Sequence, residues 1–414
     1  MSLFMLLREF LEDIRTQKTR AFLTTIAIAW GIIAVTLLMA FGEGLSFRMR
    51  EGLLNAGDRI IRVYGGQTTK KWEGLPVGRR ILLRKEDCKV VEQNIPQVAV
   101  AVPGIGRYTR LRVGENISST YMEGVYPEFE FLRRTFHGSG GRFLNGRDLK
   151  ERKRVLFLGS KITEELFGHT DAIGKNVTID GIPFKIVGIM PKKLQTSMNE
   201  GPDDRRAIIP FTTFQGIYGD KYLDEMIVKP ARFEDGLYVE KEIRRVLGKK
   251  YQFDPTDERA VPMWNFIENE MQGAKVFRGI NIFLAVIGAM TLIIAGVGVA
   301  NIMFVVAKER THEIGIKRAV GAKRKYIMLQ FIFESLLISF VGGIIGMLVS
   351  SAIIKLMWMV PAEEGAMEFL GRPILSGSVL GFTIFLLTAI GLLAGLFPAR
   401  KAASVEPVEA LRYE

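Results

Sequence analysis

Four long stretches of the chain carry almost no charge, and they limit the folds open to it more than any other feature. Ala21 to Phe41 is a run of 21 residues without an ionisable side chain. Ile280 to Ala307 is a second, with Asn281 and Asn301 as its strongly polar members. Tyr326 to Ile354 carries one charge, Glu334, and Val379 to Phe397 closes the set before Pro398. About 20 apolar residues cross a hydrocarbon core about 30 Å thick. A soluble helix of that length needs a polar face, and four runs without one argue against a soluble fold.

The predicted fold class is therefore a membrane protein: four transmembrane α-helices with a large α+β extracytoplasmic domain between the first and second spans. The expected divisions are an amphipathic cytoplasmic helix at 1–20, spans at 21–43, 276–307, 326–356 and 378–398, and the large domain at 44–275. A cytoplasmic loop at 308–325, a short extracytoplasmic loop at 357–377 and a cytoplasmic tail at 399–414 complete the chain. Leu3, Phe4, Leu6, Leu7, Phe10, Leu11 and Ile14 recur at helical spacing, which suits a helix lying on the membrane surface. No small-x-small cleavage site follows the first run, so the first span is expected to stay attached as an anchor.

Lysine and arginine near the span ends set the orientation. Arg8, Arg15, Lys18 and Arg20 precede the first span, seven basic residues follow the second, and Arg400, Lys401 and Arg412 follow the fourth. These segments share one side, expected to be the cytoplasm of a bacterium, with both termini there. The large domain is itself basic, with 39 Lys and Arg against 31 Asp and Glu between Gly44 and Lys275. Long domains translocate largely regardless of charge, so the orientation stands.

Inside the large domain, "RIIRVYG", "QVAVAVP" and "STYMEGV" have the Val, Ile and Tyr content of strands. "RVLFLG" followed by "SKITEELFG" predicts a strand feeding a helix, with Ser160 as N-cap and Gly168 as stop. Asp180-Gly181 joins two alternating runs as a tight hairpin. A helix is expected from Asp235 to Leu247, and another from about Trp264 running unbroken into the second span. Asp203 and Asp204 in "GPDDRR", and the run "NGRDLKERKR", are expected to be solvated loops. The one cysteine, Cys88, and the scattered His137, His169 and His312 suggest no metal or redox centre.

In the spans, Gly342 with Gly346 and Gly391 with Gly395 form GxxxG pairs, and Gly343 continues a four-residue series with Ser335 and Ser339. Small residues let helix backbones approach in lipid, so these positions are expected to pack helices, within the chain or across a dimer. Glu334 is the one ionisable residue inside a span and a functional candidate by default. A place at the membrane interface, or a pair with a basic loop residue, serves equally well.

The loop "KERTHEIGIKRAVGAKRKY" concentrates Lys308, Arg310, Lys317, Arg318, Lys323, Arg324 and Lys325 against Glu309 and Glu313. It is too short for a DNA-binding domain, and positive charge on the inner side already accounts for its basic residues, so no nucleic acid is expected. GxxxxGK[ST] occurs nowhere in the sequence, so no ATP or other cofactor is expected in this chain. A short helix pressed on a surface fits better. Thr311 is placed as its cap, Glu313 in its first turn, Lys317 and Arg318 toward its end, and Gly321 as the left-handed stop. Ile314, Ile316, Ala319 and Val320 offer apolar contact to membrane lipid or to another protein.

The same loop, continued as "KERTHEIGIKRAVGAKRKYIMLQFIFES", resembles the cytoplasmic loop of MacB/FtsX-type ABC transporter permeases. "KTRAFLTTIAIAWGI", "RVLFLGSKITEELFG" through "IGKNVTIDGIPFKIVGIM", and "GLLAGLFPARKAASVEPVEALRYE" resemble three other regions of that family in the same order. The resemblance implies a permease that dimerises, with itself or a sister permease, and docks on ATP-binding subunits that hold ATP and magnesium. It implies a coupling role for Glu309, Arg310, Glu313, Ile314, Gly315, Lys317, Ala319 and Gly321, and motion passed along the first two spans to the large domain. MacB fuses its ATPase to the permease, and a separate chain is expected to supply it here. Efflux with a periplasmic adaptor and outer-membrane channel is the first expectation, and lipoprotein release the alternative within the family. Outside the family, the alternative is a membrane-anchored signalling or binding protein that transports nothing.

Overall fold

In a computed structural model of the protein, residues 18–168, 171–195, 201–360 and 370–404 are described. The surface helix expected over the first residues, the acidic loop around Glu363, Glu364 and Glu368, His169 and the end of the tail lie outside them. The chain forms two compact units, Met1–Arg48 with Lys275–Glu414, and Met49–Ala274.

Helix α1 spans Lys18–Ala56 and contains the first apolar run. Nine strands follow: β1 (Ile61–Tyr64), β2 (Val98–Val113), β3 (Asn116–Val125), β4 (Val155–Gly159), β5 (Asn176–Ile179), β6 (Ile182–Met190), β7 (Arg206–Pro210), β8 (Glu225–Pro230) and β9 (Met263–Asn265). Between them lie α2 (Lys85–Asn94), α3 (Ser160–Phe167), α4 (Phe211–Tyr218) and α5 (Gly236–Tyr251).

Strand β2 organises this unit because it belongs to two sheets. Its first half, Val98 to Gly104, pairs antiparallel with β8, and β8, β1 and β9 continue a four-stranded sheet. Its second half pairs with β3 from Ile105 to Val113 and with β5 at Leu111 and Arg112. Strand β3 runs parallel to β7, which pairs with β4, then β6, then β5, so six strands close into a ring. Closure leaves those strands without a free edge. The sequence suggested a strand only at Gln97 to Pro103. Gly104 and Gly106 interrupt the alternation that would have extended it.

Alternation fixes the faces. Leu111, Met122, Leu156, Leu158, Val177 and Ile186 turn into the larger core, which continues beneath α2 and α5 through Val91, Val239 and Ile243. A second core holds Val102, Val125, Phe157, Ile208 and Ile227 together with Ala56, Ile60 and Phe266. It therefore encloses the last turn of α1 and the first residue of α6 (Phe266–Glu309). Arg50 and Arg59 lie 3.0 and 3.6 Å from the carboxylate of Glu270, which ties the same two segments together.

Local chemistry accounts for several turns. Asp180 and Gly181 both have positive φ, +48° and +83°, as a two-residue hairpin between β5 and β6 requires. Three expectations need correction. Ser160 is the first residue of α3 and Gly159 occupies the cap position, with no side-chain cap bond. The helix expected from about Trp264 does run unbroken, from Phe266 to Glu309, but "NGRDLKERKR" is not a solvated loop throughout: Gly146–Lys150 is a helical turn capped by Asn145, with Asp148 buried against Arg142. Asp203 is not on a solvated loop: it is 2% exposed, 2.8 Å from Arg133 and from Lys193, and 3.3 Å from Arg206. Burial alone would raise its carboxyl, but these three cations hold it below the usual carboxylate range. Its folded pKa is depressed, so its contribution to stability is present above about pH 4 and lost as pH falls further.

In the other unit α6 is followed by α7 (Thr311–Ala319), α8 (Arg324–Trp358) and α9 (Gly377–Ser404). Helices α1, α6, α8 and α9 are long and apolar enough to cross a membrane, and a helix satisfies its own backbone there. All five glycines singled out in the sequence make contacts within the chain. A β-carbon on Gly395 would lie 2.0 Å from Ser335 Oγ, one on Gly391 2.8 Å from Ser339 Oγ, and one on Gly343 2.3 Å from Leu387. Gly342 and Gly346 face α1, where added carbons would meet the carbonyls of Thr25 at 2.9 Å and Ala29 at 2.8 Å. Ser335 Oγ also donates to Gly391 O at 3.0 Å, fastening α8 to α9.

A pair of substitutions tests this packing. Gly395→Val is expected to destabilise the purified protein by about 1–3 kcal/mol through overpacking. Gly381→Ala, on the same helix with no atom within 4 Å of an added β-carbon, should leave the thermal unfolding midpoint in detergent unchanged.

Candidate coupling site

Between α6 and α8 the chain turns through α7 within about a dozen residues, and each part of that turn has a partner. Helix α7 is too short to be stable alone in water. Arg310 stands at its N-terminal cap position with φ −88°, and Thr311 is its first residue. The cap role expected of Thr311 is therefore corrected: its Oγ1 donates to Lys308 O at 2.7 Å, closing the end of α6 instead of accepting from α7. Glu313 lies in the first turn and Lys317 and Arg318 in the last, each opposite the helix-dipole end of contrary sign.

The far end closes with two bonds. Ala322 N–H donates to Lys317 O and Gly321 N–H to Arg318 O, both at 3.0 Å, with Gly321 at φ +101°. This is the Schellman pattern, which favours glycine at that position.

The charged residues then sort by what they touch. Arg310 Nη1 lies 3.2 and 3.3 Å from the two carboxylate oxygens of Glu334, which is 6% exposed. Gln330, one turn earlier on α8, donates to Glu334 Oε1 at 3.3 Å and accepts from Lys317 Nζ at 3.5 Å. Of the roles open to Glu334 from sequence, the structure shows the pair with a loop residue. Glu309 meets Arg20 of α1 in a two-pronged pair, with Nη1 and Nη2 each 2.6 Å from a carboxylate oxygen. Arg318 donates to Ala403 O of α9 at 3.4 Å. The loop thus makes side-chain contacts to α1, α8 and α9.

The apolar residues divide as well. Ile314 is buried among Ile327, Phe331, Ala399 and Ala402, and Gly315 is buried beside it. The opposite face carries His312, Glu313, Ile316, Ala319 and Val320, all exposed, with Val320 85% exposed and Ile316 45%. Ile314 therefore anchors the helix, while Ile316 and Val320 present an apolar stripe outward. Sequence reasoning missed Arg20 and Gln330. Gln330 stands four residues before Glu334 on one helix face, a spacing that could have flagged it. Nothing local connects Arg20 to Glu309, 289 positions away.

Comparison with known proteins bears on the whole arrangement. Residues 21–246 match the family described as the MacB-like periplasmic core domain, and residues 285–407 match the FtsX-like permease C-terminal family. The chain belongs to the MacB/FtsX-like permeases. It is an ABC transporter permease by family and a multi-pass membrane protein. Two curated relatives are macrolide export ATP-binding/permease proteins MacB. That of Bdellovibrio bacteriovorus is 28% identical over 99% of this chain and 61% of its own length. That of Chlorobium luteolum is 31% identical over 97% of this chain and 59% of its own. The chain thus spans about 60% of the length of these relatives. Among solved structures, the periplasmic region of MacB from Actinobacillus actinomycetemcomitans is 16% identical, with a TM-score of 0.43 over 54% of this chain and 95% of that one. The extracellular domain of the ABC-type transporter YknZ from Gram-positive bacteria is 18% identical, with a TM-score of 0.41 over 50% and 100%.

The pair of Glu334 and Arg310 makes a direct prediction for this family member. Glu334→Gln leaves the Arg310 guanidinium against a neutral amide and is expected to destabilise the protein by about 3 kcal/mol. Arg310→Gln combined with Glu334→Gln should recover part of that loss. Thermal unfolding of the three proteins in detergent measures both effects.

Proposed function

We propose that this permease takes up ATP-driven motion at α7 and passes it through α1 and α6 to the extramembrane unit, driving export. ATP is bound with magnesium by an ATP-binding partner subunit, and the permease acts as a dimer in the bacterial inner membrane with α7 on the cytoplasmic side. The observation that carries the reading is the two-faced character of α7. One face is fixed to α8 and α9 by Ile314, Arg310 and Arg318, and the other exposes Ile316 and Val320.

A push on that outer face reaches α6 through its continuous backbone and α1 through Glu309 and Arg20. Both helices carry residues into the core of the extramembrane unit, Ala56 from α1 and Phe266 from α6. Two helices rooted in one core can drive it without opening a conduit between them. Export also accords with the MacB relatives, which are macrolide export ATP-binding/permease proteins.

The experiment joins the purified chain to a candidate ATP-binding subunit in lipid nanodiscs. Ile316→Asp with Val320→Asp is expected to lower stimulated ATP turnover at least about tenfold, since two buried apolar anchors are each worth about 1–3 kcal/mol at an interface. Insertion and thermal stability should stay unchanged, because both side chains point away from the helices. Full stimulation by the double variant would remove α7 from the mechanism.

A further inference from the structure

At the end of the membrane unit opposite α7, the chain that leads into α9 folds against α1, and Gly371 to Ile374 are held on two sides. On the side of α8, Trp358 Nε1 donates to Pro373 O at 3.0 Å and Arg372 Nη2 to Val360 O at 2.9 Å. The Arg372 guanidinium also lies over the Trp358 ring, 5.1 Å from its centroid. On the side of α1, Ile374 N–H donates to Ala40 O at 2.9 Å.

Two glycines bring the backbones together there. A β-carbon on Gly44 would run into the carbonyl of Arg372, and one on Gly371 would lie 2.7 Å from Gly44 O and 2.8 Å from Arg48 Cβ. Gly371 has φ +74°, which glycine adopts at no steric cost, and Pro373 holds the residue before it extended. Ala40, Gly44, Gly371 and Pro373 are all buried.

A contact of backbone on backbone has no side chain to give way. The approach of α6 to α1 is different: Gly31 and Gly42 face the side chains of Leu292, Asn281 and Leu284, which can change rotamer. Helix α8 already meets the α1 backbone at Thr25 and Ala29. Gly44 adds a third hold fifteen residues further along α1, about 22 Å by helical rise. We propose that Gly371 to Ile374 form a brace: they keep α1 at one spacing from α8 through the transport cycle, so motion received at α7 reaches the extramembrane unit instead of parting the two helices. The brace has this use only if α7 couples, yet its closed state is measurable in the permease alone.

Spin labels at Phe47→Cys and Leu370→Cys, both exposed positions on either side of the contact, report its spacing through their dipolar coupling in lipid nanodiscs. In the permease alone Gly44→Ala is expected to spread that coupling over an about twofold wider range of distances, since overpacking shifts backbone. Gly377→Ala, with no atom within 4 Å of an added β-carbon, should leave it unchanged. Ile374→Pro, which removes only the N–H given to Ala40, decides the matter if Gly44→Ala does not fold. Equal spreads in the parent and a folded brace variant would overturn the brace without touching the coupling reading. In the assembled transporter the Phe47 to Leu370 spacing should stay fixed when ATP is trapped, and Gly44→Ala should diminish the accompanying change between labels at Lys323→Cys and Tyr238→Cys. A spacing at the brace that changes with ATP, or a parental response from Gly44→Ala, would overturn it while coupling through α7 stands.

Discussion

Lipid gives helices no hydrophobic reason to associate, and the membrane unit is built around that constraint. Contact has to come from close backbone approach and from polar groups that find one another. Helix α8 shows both. Its glycines at 342 and 346 admit the α1 backbone, its serines at 335 and 339 fit the glycines of α9, and Glu334 at its charged end holds Arg310. Without these contacts α7 would be a nine-residue helix with nothing to press against.

The same economy extends to the function. The residues of the loop divide into a set that grips the bundle and a set that faces outward, and the division runs along the axis of one short helix. A buried pair such as Arg310 with Glu334 adds little net stability compared with a well-packed apolar pair. Its value here is geometric, since it fixes where the helix starts relative to α8. The pair of Arg20 with Glu309 is more exposed and weaker as a stabiliser. Its two-pronged form still ties α1 to the end of α6 at one defined angle.

Local signals in the sequence carried far. Uncharged runs revealed the spans because the bilayer requires length and apolarity, and Asp180-Gly181 revealed a hairpin because few residues adopt positive φ. Gly321 was legible as the stop of α7 for the same reason. What the sequence hid depends on distance along the chain. Asp203 reads as a turn residue beside Asp204, and only the fold brings Arg133 and Lys193 to it. Ile314 and Ile316 look alike as apolar residues of a short helix, and only packing shows that one is an anchor and the other an exposed surface. Ring closure by β2 was hidden by Gly104 and Gly106, which interrupt its alternation.

We propose that motion received at α7 reaches the extramembrane unit. Burial pushes the Cys88 thiol up to about 12, so this buried cysteine should stay unmodified while an introduced one is spin-labelled. Labels at Lys323→Cys, just beyond the end of α7, and Tyr238→Cys, both exposed positions, allow distances to be measured by pulsed electron resonance in the assembled transporter. The distance distribution is expected to shift when ATP is trapped in the partner subunit, and Glu334→Gln to diminish the shift. An identical distribution with and without ATP, in an assembly that hydrolyses it, would rule out transmission from α7.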